Sequence, residues 1–322
     1  MIVCDRFCLM SRENLRLSKA ESALGKMAIS VNGSELWQYE RRRVQSGELD
    51  DRQLYWRRML LPDVPGSLAE SRNYEPTFRD DVDYRVLLTG FDPFNLDVNI
   101  EQSNPSGVIA LSLDQLVLEA NGKRAEIRCL ILPVRFNDFD RGLIEKIIDP
   151  LLGTLDLLLT VSMGRDQIDL ERFPALRRSS GRQDNAGFLG GGSKTKPLIP
   201  SGIQGPEFVE FSLPAETMQE VSGYFEIRDN RTVTTLESGE IFVDNLDSLA
   251  DQRSVEGSGG GYLSNEISYR TNRRVAGRFP VGHIHTPSVF PFELKKMVKL
   301  VEQVTKMIVV AIGELPEKPN QR

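Results

Sequence analysis

From about position 84 the chain alternates between short, wholly apolar runs and longer segments whose apolar residues recur every three or four positions. "YRVLLTG" and "LDLLLTVSM" are of the first kind, short enough for strands and apolar enough for burial on both faces. "AEIRCLILPV" and "RFPVGHIHTP" read as two more strands. "NPSGVIALSLDQLVLEAN" has the helical period, with Pro105 in a first turn where its missing N–H costs nothing, and "DRGLIEKIIDPLL" reads as another helix. In a last helix over 292–313, Leu294, Met297, Val298, Val301, Val304 and Ile308 fall on one face. Strands alternating with helices predict an α/β fold: a mostly parallel, twisted sheet sandwiched between helices, with chemistry sought at the carboxyl ends of strands.

The first 82 residues follow another rule. "SELWQYERRRVQSGELDDRQLYWRRMLLP" mixes charged and aromatic residues at helical spacing, is broken near Ser46-Gly47 and is stopped by Pro62. Asp50 and Asp51 suit the start of its second half, and Arg57 and Arg58 its end, where the helix dipole favours cations. "PDVPGSLAESRNYEPTFRDDVD" reads as a linker. The expected division is a helical extension with linker over 1–82 and an α/β domain over 83–322, the extension's aromatics packing on the domain and its arginines pairing with acids.

Composition narrows the function. A net charge of −6 argues against a nucleic-acid binder. No segment approaches the roughly 18 apolar residues of a membrane span, and the N-terminal apolar run is too broken for a signal peptide. Cys4, Cys8 and Cys129 have neither zinc-ligand spacing nor an even count, as expected of a reduced, soluble, cytoplasmic protein.

Several motifs invite chemistry. "GFLGGGSKT" misses a phosphate loop because Ser193 stands where lysine must follow, and it reads as a loop. His283 and His285, the two histidines of the chain, lie two apart on a strand and share a face, with no third metal ligand in view. Taken alone, Glu171 in "DLERF" is a surface acid paired to an arginine, and Ser264 in "GSGGGYLSN" is a hydroxyl capping a helix start. Taken together they suggest more. A hydroxyl at a helix N-terminus sits among N–H groups that hold an oxyanion, a strand histidine accepts its proton, and a carboxylate orients the histidine.

The motifs "LLTGFDPF", "NPS", "LPV", "LERF", "DNAG", "GPEFVEFSLP", "GYLSN" and "GHIHTP" occur in the order found in type I pyroglutamyl peptidases, cysteine peptidases that remove N-terminal pyroglutamate. The chain resembles that family from about Arg85 to Gly313. The resemblance implies catalytic roles for Glu171 and His285. It also implies aromatic contacts to the pyroglutamyl ring from Phe91 and Phe94, with Tyr262 two residues before the nucleophile. Ser264 stands where the family has cysteine. "TVSMGRDQ" lacks the family's glycine-rich, glutamine-bearing version, and Leu176 replaces a polar residue.

A serine hydroxyl is a far weaker acid than a thiol, so attack requires concerted proton transfer, as in Ser-His-acid hydrolases. The resulting expectation is hydrolysis of pyroglutamyl peptides or related small amides by Ser264, with His285 as general base oriented by Glu171. No metal or cofactor is expected, and a homo-oligomer is allowed. The alternative is an inactive relative that binds peptide ends or serves as a scaffold. A third reading, that Ser264 was engineered to silence an enzyme, sits poorly with the other departures and the long extension.

Overall fold

The computed structural model describes residues 32–48, 50–61, 64–94, 96 and 99–318. Cys4, Cys8 and Pro62 lie outside them. The chain begins with helices α1 (Gly33–Gln45), α2 (Asp51–Arg58) and α3 (Ser67–Glu70), then β1 (Tyr84–Phe91), α4 (Pro105–Leu113), β2 (Val117–Ala120) and β3 (Lys123–Leu132). There follow α5 (Phe136–Asp140), α6 (Leu143–Ile148), β4 (Leu157–Met163), β5 (Ile168–Glu171) and α7 (Ala215–Gln219). The remainder is β6 (Ile227–Asn230), β7 (Thr232–Thr235), β8 (Gly239–Phe242), β9 (Ser254–Glu256), α8 (Leu263–Val275), β10 (Val281–Thr286) and α9 (Leu294–Gly313).

The main sheet has seven strands in the order β2-β3-β1-β4-β10-β5-β6. β3, β1, β4 and β10 are parallel; β2 pairs antiparallel with β3, and β5 antiparallel with β10. Alternation along the strands sends Val86, Leu88, Leu159 and Ile284 to a face covered by α1, α4, α7 and α9. Leu87, Leu158 and Val281 point to the opposite face, covered by α5, α6 and α8. This is the expected α/β sandwich, with β7, β8 and β9 forming a separate small antiparallel sheet.

Local differences have identifiable causes. The segment read as one long helix after Pro105 ends at Leu113. Asp114 accepts bonds from Cys129 N and Trp37 Nε1, Gln115 takes a positive φ, and the following Val117–Ala120 becomes a hairpin strand closed at Asn121-Gly122. In α9 the buried stripe is Met297, Leu300, Val304, Met307, Ile308, Ala311 and Ile312, whereas Leu294 and Val298 are exposed. The loop-rich middle contains β5 and β6, both part of the main sheet.

The N-terminal helices are built into the core. Asn32 and Glu35 cap α1 reciprocally, and Asp50 accepts from Arg52 N at the start of α2. Leu36, Trp37, Val44 and Leu54 join the main apolar cluster. Arg57 pairs with Glu40, and both are buried. The segment expected to be a linker instead carries α3 and Arg72, which with Arg58 grips Asp92 (Arg58 Nη1–Asp92 Oδ1 and Arg72 Nη2–Asp92 Oδ2, both 2.7 Å). These three charges are buried, so the arginines serve packing and pairing rather than a nucleic-acid surface.

Candidate active site

Chain segments far apart in sequence meet at one cleft of about 360 Å³. Its aromatic wall comes from the end of β1 and the start of α8. Phe94 and Tyr262 lie with ring centroids 5.4 Å apart, and Phe136 meets Tyr262 edge-on at 5.1 Å. Phe91 lines the cleft from deeper in and stacks on Phe139 at 6.3 Å. Asn104, the N-cap of α4, closes one side, and its Nδ2 donates to Asp92 O at 2.9 Å. Asn104 is itself fixed from the extension, because Asp51 accepts from Asn104 N (2.8 Å) and Ser103 Oγ (2.5 Å).

Ser264 is the second residue of α8 and lines the cleft. The capping role considered for it falls elsewhere: Tyr262 is the N-cap, and no side chain caps the helix. The first-turn N–H groups of Leu263, Ser264 and Asn265 have no carbonyl within the helix to bond, and the helix dipole adds positive potential there. The preceding glycines make the approach. Gly260 has φ +85°, and a Cβ on Gly257 would fall 2.2 Å from Asn265 Oδ1. Asn265 clamps the backbone of Ala175 through both side-chain atoms, each at 2.8 Å. Ser258 bonds Phe173 through Oγ and N. The helix start is thereby stitched to the segment that follows Glu171.

His285 lines the cleft from β10, and Glu171 lies buried behind it at the end of β5. His285 Nδ1 and Glu171 Oε1 are 2.5 Å apart. An ionised carboxylate only accepts, so Nδ1 carries the proton and Nε2 is left for the cleft. Asn230 on β6 donates Nδ2 to Glu171 Oε2 and to Ser258 O, both at 2.9 Å. Glu171 is thus held from both sides. Among the described residues no hydrogen bond joins Ser264 to His285.

His283 is a different case. Fully buried, it has Thr160 Oγ1 2.7 Å from Nδ1 and Ser162 Oγ 2.7 Å from Nε2, and burial, with His285 beside it, pushes its pKa well down. It is a neutral ring tying β10 to β4. Asp169 lies directly across from His285 in the antiparallel register and is bound by Arg228 Nε at 2.8 Å. Burial, reinforced by the charge of Glu171, pushes its carboxyl up to about 6. Among the described residues no three His, Cys, Asp or Glu side chains are placed to hold a metal.

The six residues picked from sequence thus come together: five line the cleft, and Glu171 supports it from below. Sequence reasoning missed Asn230, Ser258 and Asn265. Asn265 stood inside the "GYLSN" motif, but nothing marked its partner as the backbone of Ala175. Leu176 packs with Ile203 and Tyr269 and does not line the cleft. Residues 187–195 form a loop, and no helix lies between them and Ala215.

A family model described as the C-terminal domain of PA0049 matches residues 85–222. That span is less than half of the chain and stops before Ser264 and His285. The uncharacterized protein PA0049 of Pseudomonas aeruginosa is 26% identical over 182 residues, 42% of this chain and 33% of that protein's length. Among solved structures, a mutant pyrrolidone carboxyl peptidase from the hyperthermophile Pyrococcus furiosus matches 72% of this chain and 100% of its own, with a TM-score of 0.50 and 22% identity. A second structure of that peptidase, reported with its cysteine-free mutant, matches equally. The fold is shared with pyrrolidone carboxyl peptidase. That likeness fixes the architecture, and the chemistry of this chain rests on its own residues. Among the described residues no helix is long and apolar enough to cross a membrane.

Proposed function

We propose that the protein hydrolyses amides of pyroglutamate or a similar flat, neutral acyl group, with Ser264 as nucleophile, His285 as general base and Glu171 orienting and charge-balancing the histidine. The observation that carries this reading is the His285–Glu171 contact, which leaves Nε2 as the free ring nitrogen at a cleft that also holds Ser264. The aromatic wall of Phe91, Phe94 and Tyr262 suits a planar lactam. As Ser264 Oγ attacks the carbonyl carbon, its proton passes to His285 Nε2 and the oxyanion takes the first-turn N–H groups of α8. Collapse expels the amine, which leaves with that proton. Water, deprotonated by His285, then cleaves the acyl-serine ester and restores the hydroxyl.

The test is release of a fluorescent amine from a pyroglutamyl amide by the native protein and by Ser264→Cys. Native turnover supports the serine reading. A silent native protein with an active Ser264→Cys would mean a prepared site lacking its attacking atom. Silence in both would overturn the assignment and favour the second reading, a non-catalytic binder of peptide ends. The missing Ser264–His285 hydrogen bond is the observation that favours that second reading.

Asn230 offers a finer check. Asn230→Ala removes the bond that holds Glu171 from behind, and kcat is expected to fall about tenfold, the worth of one hydrogen bond to a charged group, with KM little changed. An unchanged kcat in steady-state assays would remove Asn230 from the arrangement.

A further inference from the structure

The lips of the cleft carry two arginines that grip no side chain, although Arg165 lies within electrostatic reach of Asp169. Arg165 lies in the turn between β4 and β5, and Arg182 in the loop beyond Glu171; both are exposed and both line the cleft. Neither guanidinium has an ion pair or hydrogen bond among the described residues. Their neighbours differ: Arg172 binds Asp229 and Glu210, Arg177 binds Glu207, Arg178 binds Glu266 and Asp140, and Arg228 binds Asp169. Carboxylates stand close by as well: Glu171 lies under the cleft against His285, and Asp184, near Tyr262, takes main-chain N–H bonds. Glu256, the carboxylate lining the cleft, is held by Lys194 Nζ at 3.0 Å. Asp169 lies buried in its bond to Arg228, and Asp166 is exposed without an ion pair. The uncapped start of α8 adds positive potential from below. Two guanidiniums without a protein ion pair therefore stand at the mouth of the cleft, free to take a carboxylate.

The two ends of the cleft make different demands on an occupant. Phe91, Phe94 and Tyr262 offer a flat, uncharged seat that gives a guanidinium no counter-ion, which makes a charge on the amine side the candidate partner. We propose that Arg165 and Arg182 recognise a carboxylate on the leaving amine, so that the favoured substrates are pyroglutamyl amides of acidic or free amino acids rather than neutral amides. This rests on the hydrolase reading above for its acyl half. Arginine suits the task because its planar fork matches a carboxylate bidentately.

The test separates the two ideas. Ser264→Ala, which binds without turnover, is titrated calorimetrically with pyroglutamyl-glutamate and with pyroglutamyl-glutaminamide, which is uncharged and of nearly the same shape. The acid is expected to bind about tenfold more tightly at low salt, the preference being lost near 0.5 M salt, where screening is strong. It is also expected to be lost when Arg165→Gln and Arg182→Gln are combined in that background. Equal binding of the two ligands, or binding of neither, overturns the proposal. Selective binding of the acid by a protein that hydrolyses neither ligand leaves the rim assigned and removes the hydrolase reading. Hydrolysis of both at equal kcat/KM does the reverse.

Discussion

Ser264→Ala is expected to lower pyroglutamyl-amide hydrolysis by on the order of 10³-fold or more, because residual catalysis would come only from the oxyanion donors and bound geometry. The fold should not register the change. Ser264 Oγ takes no part in capping α8, and the pinning of that helix start belongs to Asn265. Thermal unfolding of the variant should therefore overlay that of the native protein. His285→Ala should cost about as much activity as Ser264→Ala, and the double variant little more, since groups acting in one step are not additive. A Ser264→Ala protein that keeps its rate would show that the nucleophile lies elsewhere, and the mechanism proposed above would fall.

Asp92→Ala is the second large effect, and it is expected in stability. The single carboxylate is shared by two buried guanidiniums, Arg58 and Arg72, and its loss leaves both without that counter-ion in the interior. Breaking a buried ionic group from one side costs about 3–5 kcal/mol, a large fraction of a domain's total stability. Urea unfolding at neutral pH would measure it, and a loss below about 1 kcal/mol would mean that the guanidiniums find water or other partners. The control is informative: replacing Arg58, Arg72 and Asp92 together by apolar residues of similar volume should recover most of the loss. Asp92 also stands in the chain between Phe91 and Phe94, both of which line the cleft, so loss of its anchoring carboxylate should also weaken substrate binding.

The sandwich was legible because its strands are near-continuous apolar runs, as in "LDLLLTVSM", and its helices carry stripes. Sequence was silent where backbone geometry or distant partners decide. Nothing local says that Asp114 is bonded by Trp37 and Cys129, and that bonding ends a helix whose apolar period runs on. β5 was missed for a related reason: "IDLE" is four residues long and half acidic, and it becomes a strand by pairing with β10 and β6. The six site residues were named from ordered motifs. Their support by Asn230 and Asn265 was not, because an amide bonding to main chain or to a carboxylate leaves no periodic trace in sequence. The packing of the extension's aromatics on the domain was legible as well: Trp37, with Leu54, lies within the same apolar cluster as the sheet.

The position of β10 bears on how the protein is made. β4 and β5 are close in sequence, yet they do not touch as neighbours in the sheet; β10, from more than a hundred residues later, lies between them and pairs with both. While the chain is being synthesised, those two strands must wait side by side with a gap, each presenting an open edge that could recruit a wrong partner. His285, the proposed general base, arrives on the strand that fills the gap. On the proposed mechanism, a nascent or truncated chain ending before residue 281 would lack its general base as well as the strand that closes the sheet, and it is expected to be inactive and aggregation-prone.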